Sequence, residues 1–244
     1  MSFDLSGRTA LVTGSTRGVG LALARALAGA GARVAINGRT AEAAEAVAAG
    51  IEGAVAATFD VTDDAAVAGA VDSLGPVDIL VNNTGMALRR SLVDLELDEW
   101  RRLLDVNLTS AFLVSRAVAP GMIERGRGKI VNVCSLMSEL ARPTTGGYAA
   151  TKGALKMLTR SMCAEWAQHG IQANGIAPGY FRTDLTEPLQ ADAGFDAWLQ
   201  ARVPAGRWGE PHELGGAVVF LASSASDFVN GQLLFVDGGL SVVV

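Results

Sequence analysis

Thr9 to Thr13 (TALVT) is a short apolar run that stops at Gly14, and two more glycines, Gly18 and Gly20, follow within one turn of chain. Such a run reads as a strand covered on both faces. Small residues then continue from Val19 to Ala30 and end at Gly31, as a helix would. A buried strand that passes through a glycine turn into a helix leaves few architectures open, and the rest of the chain repeats the unit. Arg33 to Asn37, Ala54 to Phe59, Val77 to Val81, Lys129 to Val133, Ile171 to Ala177 and Leu233 to Val236 read as further strands. Thr40 to Ala49, Asp63 to Ser73 (capped by Thr62 or Asp63), Asp98 to Arg125 and Gly146 to Gln168 read as helices. The long third one is expected to break or bend near Pro120. This alternation predicts a parallel sheet with helices on both faces.

The chain of 244 residues is 50% hydrophobic, which suits one α/β domain over residues 1–244 with a sizeable core. The expected fold is a Rossmann-like, doubly wound, seven-stranded parallel sheet in three layers, with strand order 3-2-1-4-5-6-7. Pro178 to Pro211 is rich in proline, glycine and charge. It reads as an irregular substrate lid near 180–210.

The turn Thr13-Gly14-Ser15-Thr16-Arg17-Gly18-Val19-Gly20 lets backbone approach a pyrophosphate at a helix N-terminus. Sites for NAD usually carry an acidic residue about 20 positions later, on the ribose 2′-hydroxyl. Here that place reads Asn37-Gly38-Arg39-Thr40. With Arg39 there and Arg17 in the turn, two guanidiniums suit the 2′-phosphate of NADP(H), with NAD(H) as the lesser option. Asp60 either accepts from the adenine amino group or caps the next helix.

Tyr148 and Lys152 are four residues apart in a helix-forming stretch and so share a face. A free phenol, with a pKa of about 10, is a poor acid near neutrality, and a neighbouring ammonium favours its ionised form. Ser135, thirteen residues before Tyr148, could hold a substrate oxygen beside that phenol.

Other function classes fit less well. The net charge of −5 argues against a nucleic-acid partner. No apolar run approaches the ~20 residues that span a bilayer, and the first residues lack a signal-peptide pattern. Two lone cysteines, Cys134 and Cys163, suit a reducing cytoplasm; Cys134 reads as a packing residue. No metal-ligand spacing occurs.

Together, the Thr13–Gly20 turn, Asp60-Val61, Asn82-Asn83-Thr84-Gly85, Asn107, Ser135, Tyr148 with Lys152, and Pro178-Gly179 resemble the short-chain dehydrogenase/reductase family along essentially the whole chain. Thr84 stands where that family usually has alanine. The segments Val133 to Leu140, Lys156 to Arg160, Asn174 to Tyr180 and Phe228 to Gly231 are similar to its gluconate 5-dehydrogenase branch.

The resemblance implies a nicotinamide-dependent oxidoreductase acting on a polyhydroxy keto acid such as 5-keto-D-gluconate. It implies Tyr148 as acid and base, Lys152 as its electrostatic partner on the nicotinamide ribose, and Ser135 on the substrate oxygen. Asn107 would hold a water behind Lys152. Asp60, Val61, Asn83, Gly85, Pro178 and Gly179 would line the cofactor site. It also implies a homotetramer built on the Asp98–Arg125 and Gly146–Gln168 helices and on a smaller interface at the C-terminal strand with Leu240 to Val244. A substrate carboxylate needs a cation, with Arg89 favoured, Arg142 next, and Glu139 as a hydroxyl contact or a structural residue. Trp198 and Trp208 read as substrate walls or lid anchors. The rivals are a 3-oxoacyl-[acyl-carrier-protein] reductase, which the acidic charge disfavours, and a dinucleotide-sensing protein without turnover.

Overall fold

The computed structural model describes residues 3–243. Its sheet has seven parallel strands: β1 (Thr9–Val12), β2 (Arg33–Gly38), β3 (Val55–Thr58), β4 (Ile79–Asn82), β5 (Gly128–Val133), β6 (Ile171–Pro178) and β7 (Leu233–Val236). The spatial order is β3-β2-β1-β4-β5-β6-β7, as the alternation predicts. Order reverses between β1 and β4, so a crevice opens beyond the carboxyl ends of those strands. Leu11, Val12, Ile36, Leu80, Val81, Ile130 and Val131 are almost wholly buried, since helices cover both faces.

Those helices are α1 (Gly18–Gly29), α2 (Ala41–Ala49), α3 (Asp64–Leu74), α4 (Leu97–Leu104), α5 (Ser110–Arg125), α6 (Gly146–Trp166), α7 (Glu187–Gln190), α8 (Ala193–Arg202) and α9 (Gly215–Ala222). Asp63 caps α3 by accepting from the Ala66 amide at 3.0 Å. Asp60 is no helix cap. It accepts from the Thr62 hydroxyl at 2.7 Å and the Thr62 amide at 2.9 Å, a local turn.

The break expected at Pro120 lies elsewhere. A π-helical segment, Asp105–Thr109, joins α4 to α5, and Pro120 sits inside a continuous α5. Pro120 is exposed, and the helix runs on through it. Leu97–Arg125 is long and apolar enough to cross a membrane by length and composition, but half of its most apolar window is buried inside the protein.

A buried polar chain fixes the sheet to the helices behind the site. Asn82 Nδ2 donates to Ser115 Oγ at 2.9 Å and to Asn132 Oδ1 at 2.8 Å. Asn132 Nδ2 in turn donates to Thr159 Oγ1 on α6 at 2.8 Å. Burial without partners would cost about 1–3 kcal/mol per group, so these bonds hold α6 in one register against β5.

About half of the stretch expected to be irregular is helical. Asp192 caps α8 by accepting from the Gly194 and Phe195 amides, and Leu199 is wholly buried beneath it. Trp208 is buried and donates from Nε1 to Asp196 at 2.6 Å, whereas Trp198 is about half exposed. Neither ring lines the cleft described below; both pack within the segment that carries α8.

Candidate active site

Loops beyond β1, β4, β5 and β6 enclose a cleft of about 1290 Å³. It is roomy for a dinucleotide together with a small substrate. One end is the glycine turn. Gly14 and Gly18 take φ values of 59° and 55°, in the left-handed region that favours glycine. Arg17 is the N-cap of α1 and makes no side-chain cap bond, so the helix opens into the cleft with uncapped backbone amides.

Asparagines hold this turn. The Asn37 oxygen accepts from the Gly14 amide at 2.9 Å, and its amide group donates to Ala57 O and Phe59 O, both at 3.1 Å. Asn83 Nδ2 donates to Thr13 O at 2.9 Å and Gly14 O at 3.0 Å. Ser15, buried, donates to Val12 O and accepts from the Asn37 amide. Asn37, Asn83 and Ser15 were expected among the cofactor contacts. Their side-chain hydrogens are committed to backbone and hold the turn, and Asn37 and Asn83 line the cleft as well. Gly14, Thr16, Arg17, Gly18, Val19, Gly20, Arg39, Asp60, Val61, Gly85, Pro178 and Gly179 line it too.

Arg39 is exposed at its rim. The Thr62 hydroxyl and amide hold the Asp60 carboxyl below its usual range, and the nearby Arg39 guanidinium adds to this. Arg17 lies 3.9 Å from Asp184, with both side chains exposed. Uncapped amides, a glycine turn close to neighbouring backbone and two unburied guanidiniums together fit a phosphorylated dinucleotide.

The other end holds the residues expected to do the chemistry. Lys152 is 3% exposed; its Nζ donates to Val133 O at 2.7 Å and lies 5.8 Å from the centroid of the Tyr148 ring. The helical spacing thus places both on one face of α6, as the sequence predicts. Ser135 follows β5 in extended backbone, and its Oγ accepts from the Met137 amide at 3.1 Å. Ser135, Tyr148 and Lys152 all line the cleft.

Asn107 sits in the π segment behind them. A Cβ on Gly85 would stand 3.4 Å from Asn107 Oδ1 and 3.5 Å from Lys152 Nζ, so these groups converge. Asn107 donates to Met86 O and Thr151 Oγ1 and accepts from the Met86 amide at 2.7 Å. The side chain thereby anchors the Met86 loop. Cys134 packs with Ala111 and Leu155, and burial pushes its thiol up.

Arg89 and Arg142 both line the cleft. Burial and the Arg142 guanidinium push Arg89 down from its usual value, with Tyr180 acting the other way. Glu139, read as either a hydroxyl contact or a structural residue, fits the second: it pairs with Lys156 and does not line the cleft. Sequence reasoning missed Tyr180, Met137, Leu189 and Thr186, which also line it. Tyr180 had a signal: it directly follows the Pro178-Gly179 turn.

A sequence model described as "Enoyl-(Acyl carrier protein) reductase" matches residues 14–241. A curated gluconate 5-dehydrogenase of Gluconobacter oxydans (strain 621H) is 53% identical, over 98% of this chain and 97% of its own. The chain belongs to the short-chain dehydrogenase/reductase family. The 5-keto-D-gluconate 5-reductase of Escherichia coli (strain K12) is likewise 53% identical, over 99% of this chain and 98% of its own. A crystal structure of a gluconate 5-dehydrogenase from Burkholderia cenocepacia J2315, in complex with NADP and tartrate, superposes with a TM-score of 0.97. It is 56% identical and covers 100% of this chain and 98% of that one. This short-chain dehydrogenase/reductase is therefore an NAD(P)-dependent oxidoreductase acting on CH–OH groups.

Proposed function

We propose that the protein is an NADP(H)-preferring enzyme that interconverts 5-keto-D-gluconate and D-gluconate. The observation that carries this reading is one cleft holding Ser135, Tyr148 and Lys152 beside two guanidiniums, Arg89 and Arg142. Among the described residues neither arginine has a carboxylate within ion-pair distance. Two cations beside a proton donor suit a ketone that carries its own carboxylate. The 53%-identical relatives named for gluconate and 5-keto-D-gluconate support the substrate, as does the tartrate in the Burkholderia complex.

The nicotinamide supplies the hydride when bound. Ser135 offers a hydroxyl to the ketone oxygen, and Tyr148 gives that oxygen a proton in reduction and takes it back in oxidation. Val133 O fixes the Lys152 ammonium beside the Tyr148 ring, on the face of α6 that both share. Pro178 and Gly179 border the reacting end of the cleft, and residues near 180–210 cover it within the same single domain. At the other end Arg39 and Arg17 read the 2′-phosphate, with no carboxylate at the end of β2 to prefer a free 2′-hydroxyl. Asp60 and Val61 flank the adenine.

The deciding assay follows NADPH and NADH oxidation at 340 nm with 5-keto-D-gluconate or an acetoacetyl thioester, in wild type and Arg39→Ala. Turnover of the keto acid, faster with NADPH, is the expected result, and Arg39→Ala should weaken NADPH about tenfold more than NADH. Turnover of the thioester alone would reassign the substrate to the acyl-carrier class. Equal weakening of both cofactors would remove Arg39 from the 2′-phosphate.

We further assign the protein to the cytoplasm, where its two free cysteines stay reduced, and to a homotetramer. Two separate sets of exposed apolar residues support the tetramer: Phe112 and Met157 on α5 and α6, and Phe228, Leu234 and Val242 toward the C-terminal end. Val244, included in the smaller interface, lies outside the described residues. Light scattering at micromolar concentration should give four chains; a monomer would contradict the assignment.

A further inference from the structure

We propose that Tyr180 is a substrate-binding residue, which with Arg89 and Arg142 forms a cradle for the substrate's carboxylate. The inference rests on the keto-acid reading above and deepens it. Arg142 Nη1 donates to the Tyr180 hydroxyl oxygen at 3.1 Å. A phenol oxygen that accepts still has its own proton to donate. Tyr180 lines the cleft together with Arg89, Arg142, Ser135 and Tyr148, so that proton is available to a ligand there.

Everything around Arg142 limits its freedom. Its guanidinium lies over the Phe195 ring, 4.8 Å from the centroid. Tyr180 is itself held edge-on by Phe195 at 5.4 Å, Trp208 at 5.9 Å and Trp198 at 6.2 Å. The loop bearing Arg89 is tied to the loop bearing Arg142: the Arg90 amide donates to Thr144 O at 2.9 Å. Thr144 is the one non-glycine residue of positive φ (67°) among those described, a conformation that costs about 1–3 kcal/mol. Its carbonyl thereby meets Arg90 and brings the two arginine loops side by side.

The result is a cluster of donors. Two guanidiniums and one phenolic hydrogen converge, and among the described residues no carboxylate neutralises either cation. Two planar forks and a hydroxyl match the two oxygens of a carboxylate, whereas a neutral polyol end would leave both charges unmet. Tyr180 also couples the cradle to the lid, since its ring packs on α8.

The test uses the binary complex with NADP+ and isothermal titration with D-gluconate and with D-glucitol, its neutral counterpart. Wild type should bind gluconate more tightly than glucitol. Tyr180→Phe keeps the ring and removes only the hydroxyl; it should reduce the gluconate-to-glucitol affinity ratio about tenfold. Melting temperature and NADP+ affinity should stay at wild-type values. In an Arg142→Gln background the same change should add little, because the two groups act together. An unchanged ratio in Tyr180→Phe, or equal weakening of both ligands, would overturn the assignment. A wild-type protein that binds neither ligand, or both equally, would instead overturn the keto-acid reading and this cradle with it.

Discussion

Tyr148→Phe is expected to lower kcat for keto-acid reduction by about 10²- to 10⁴-fold, the range of a lost general acid. The substitution removes one oxygen and keeps the ring that packs beside Lys152. Among the described residues the phenol has no protein hydrogen-bond partner, so its loss orphans no other group. Lys152 stays in place through its 2.7 Å bond to Val133 O. NADPH affinity by fluorescence titration should therefore move less than about twofold, and kcat and kcat/KM should fall together, the sign of an interaction made in the transition state. A rise in KM with kcat unchanged would make Tyr148 a binding group only. A retained rate would remove it from the proton path. The control is structural: circular dichroism should match wild type, because no buried polar group is created.

The sheet was legible because its signals are local and repeated. Each buried strand is a short apolar run closed by glycine or a polar residue, and each helix intervenes at a length that permits only a crossover. The α6 pair was legible for a similar reason, since spacing of four on a helix is geometry that tertiary context rarely changes.

What escaped depends on contacts distant in sequence. Asn37 and Asn83 line the cleft, and only the fold reveals that their side-chain amides also bond Thr13, Gly14, Ala57 and Phe59 and so hold the turn. Glu139 is drawn off by Lys156, seventeen positions away. The α8 helix had a readable cap in Asp192 and an apolar pair at Phe195 and Leu199, which the surrounding prolines and glycines masked. The π segment has no composition of its own. It places Asn107 where its amide bridges Met86 and Thr151, a bond set that only the assembled site requires.

Gly20→Ala should weaken NADPH by about 10- to 100-fold and lower stability by about 1–3 kcal/mol, although it adds a single methyl group to a helix. Alanine ordinarily stabilises a helix relative to glycine by up to about 1 kcal/mol. At this position the added Cβ would clash with Gly14 O and with Asn83 Nδ2. The first of these atoms is backbone of the tight turn, and the second is the amide that holds Thr13 and Gly14. Neither can yield without moving the start of α1, whose uncapped amides face the cleft. The clash thus outweighs helix propensity, and the loss falls on the dinucleotide before it falls on the fold. Gly69→Ala on α3 is the matched control: nothing lies within 4 Å of its added Cβ. It should leave NADPH binding unchanged and raise the melting temperature slightly. Wild-type NADPH affinity in Gly20→Ala would mean that the turn is not where the pyrophosphate rests. Weaker binding in Gly20→Ala alone would tie the cofactor to this turn through packing rather than through any charged side chain.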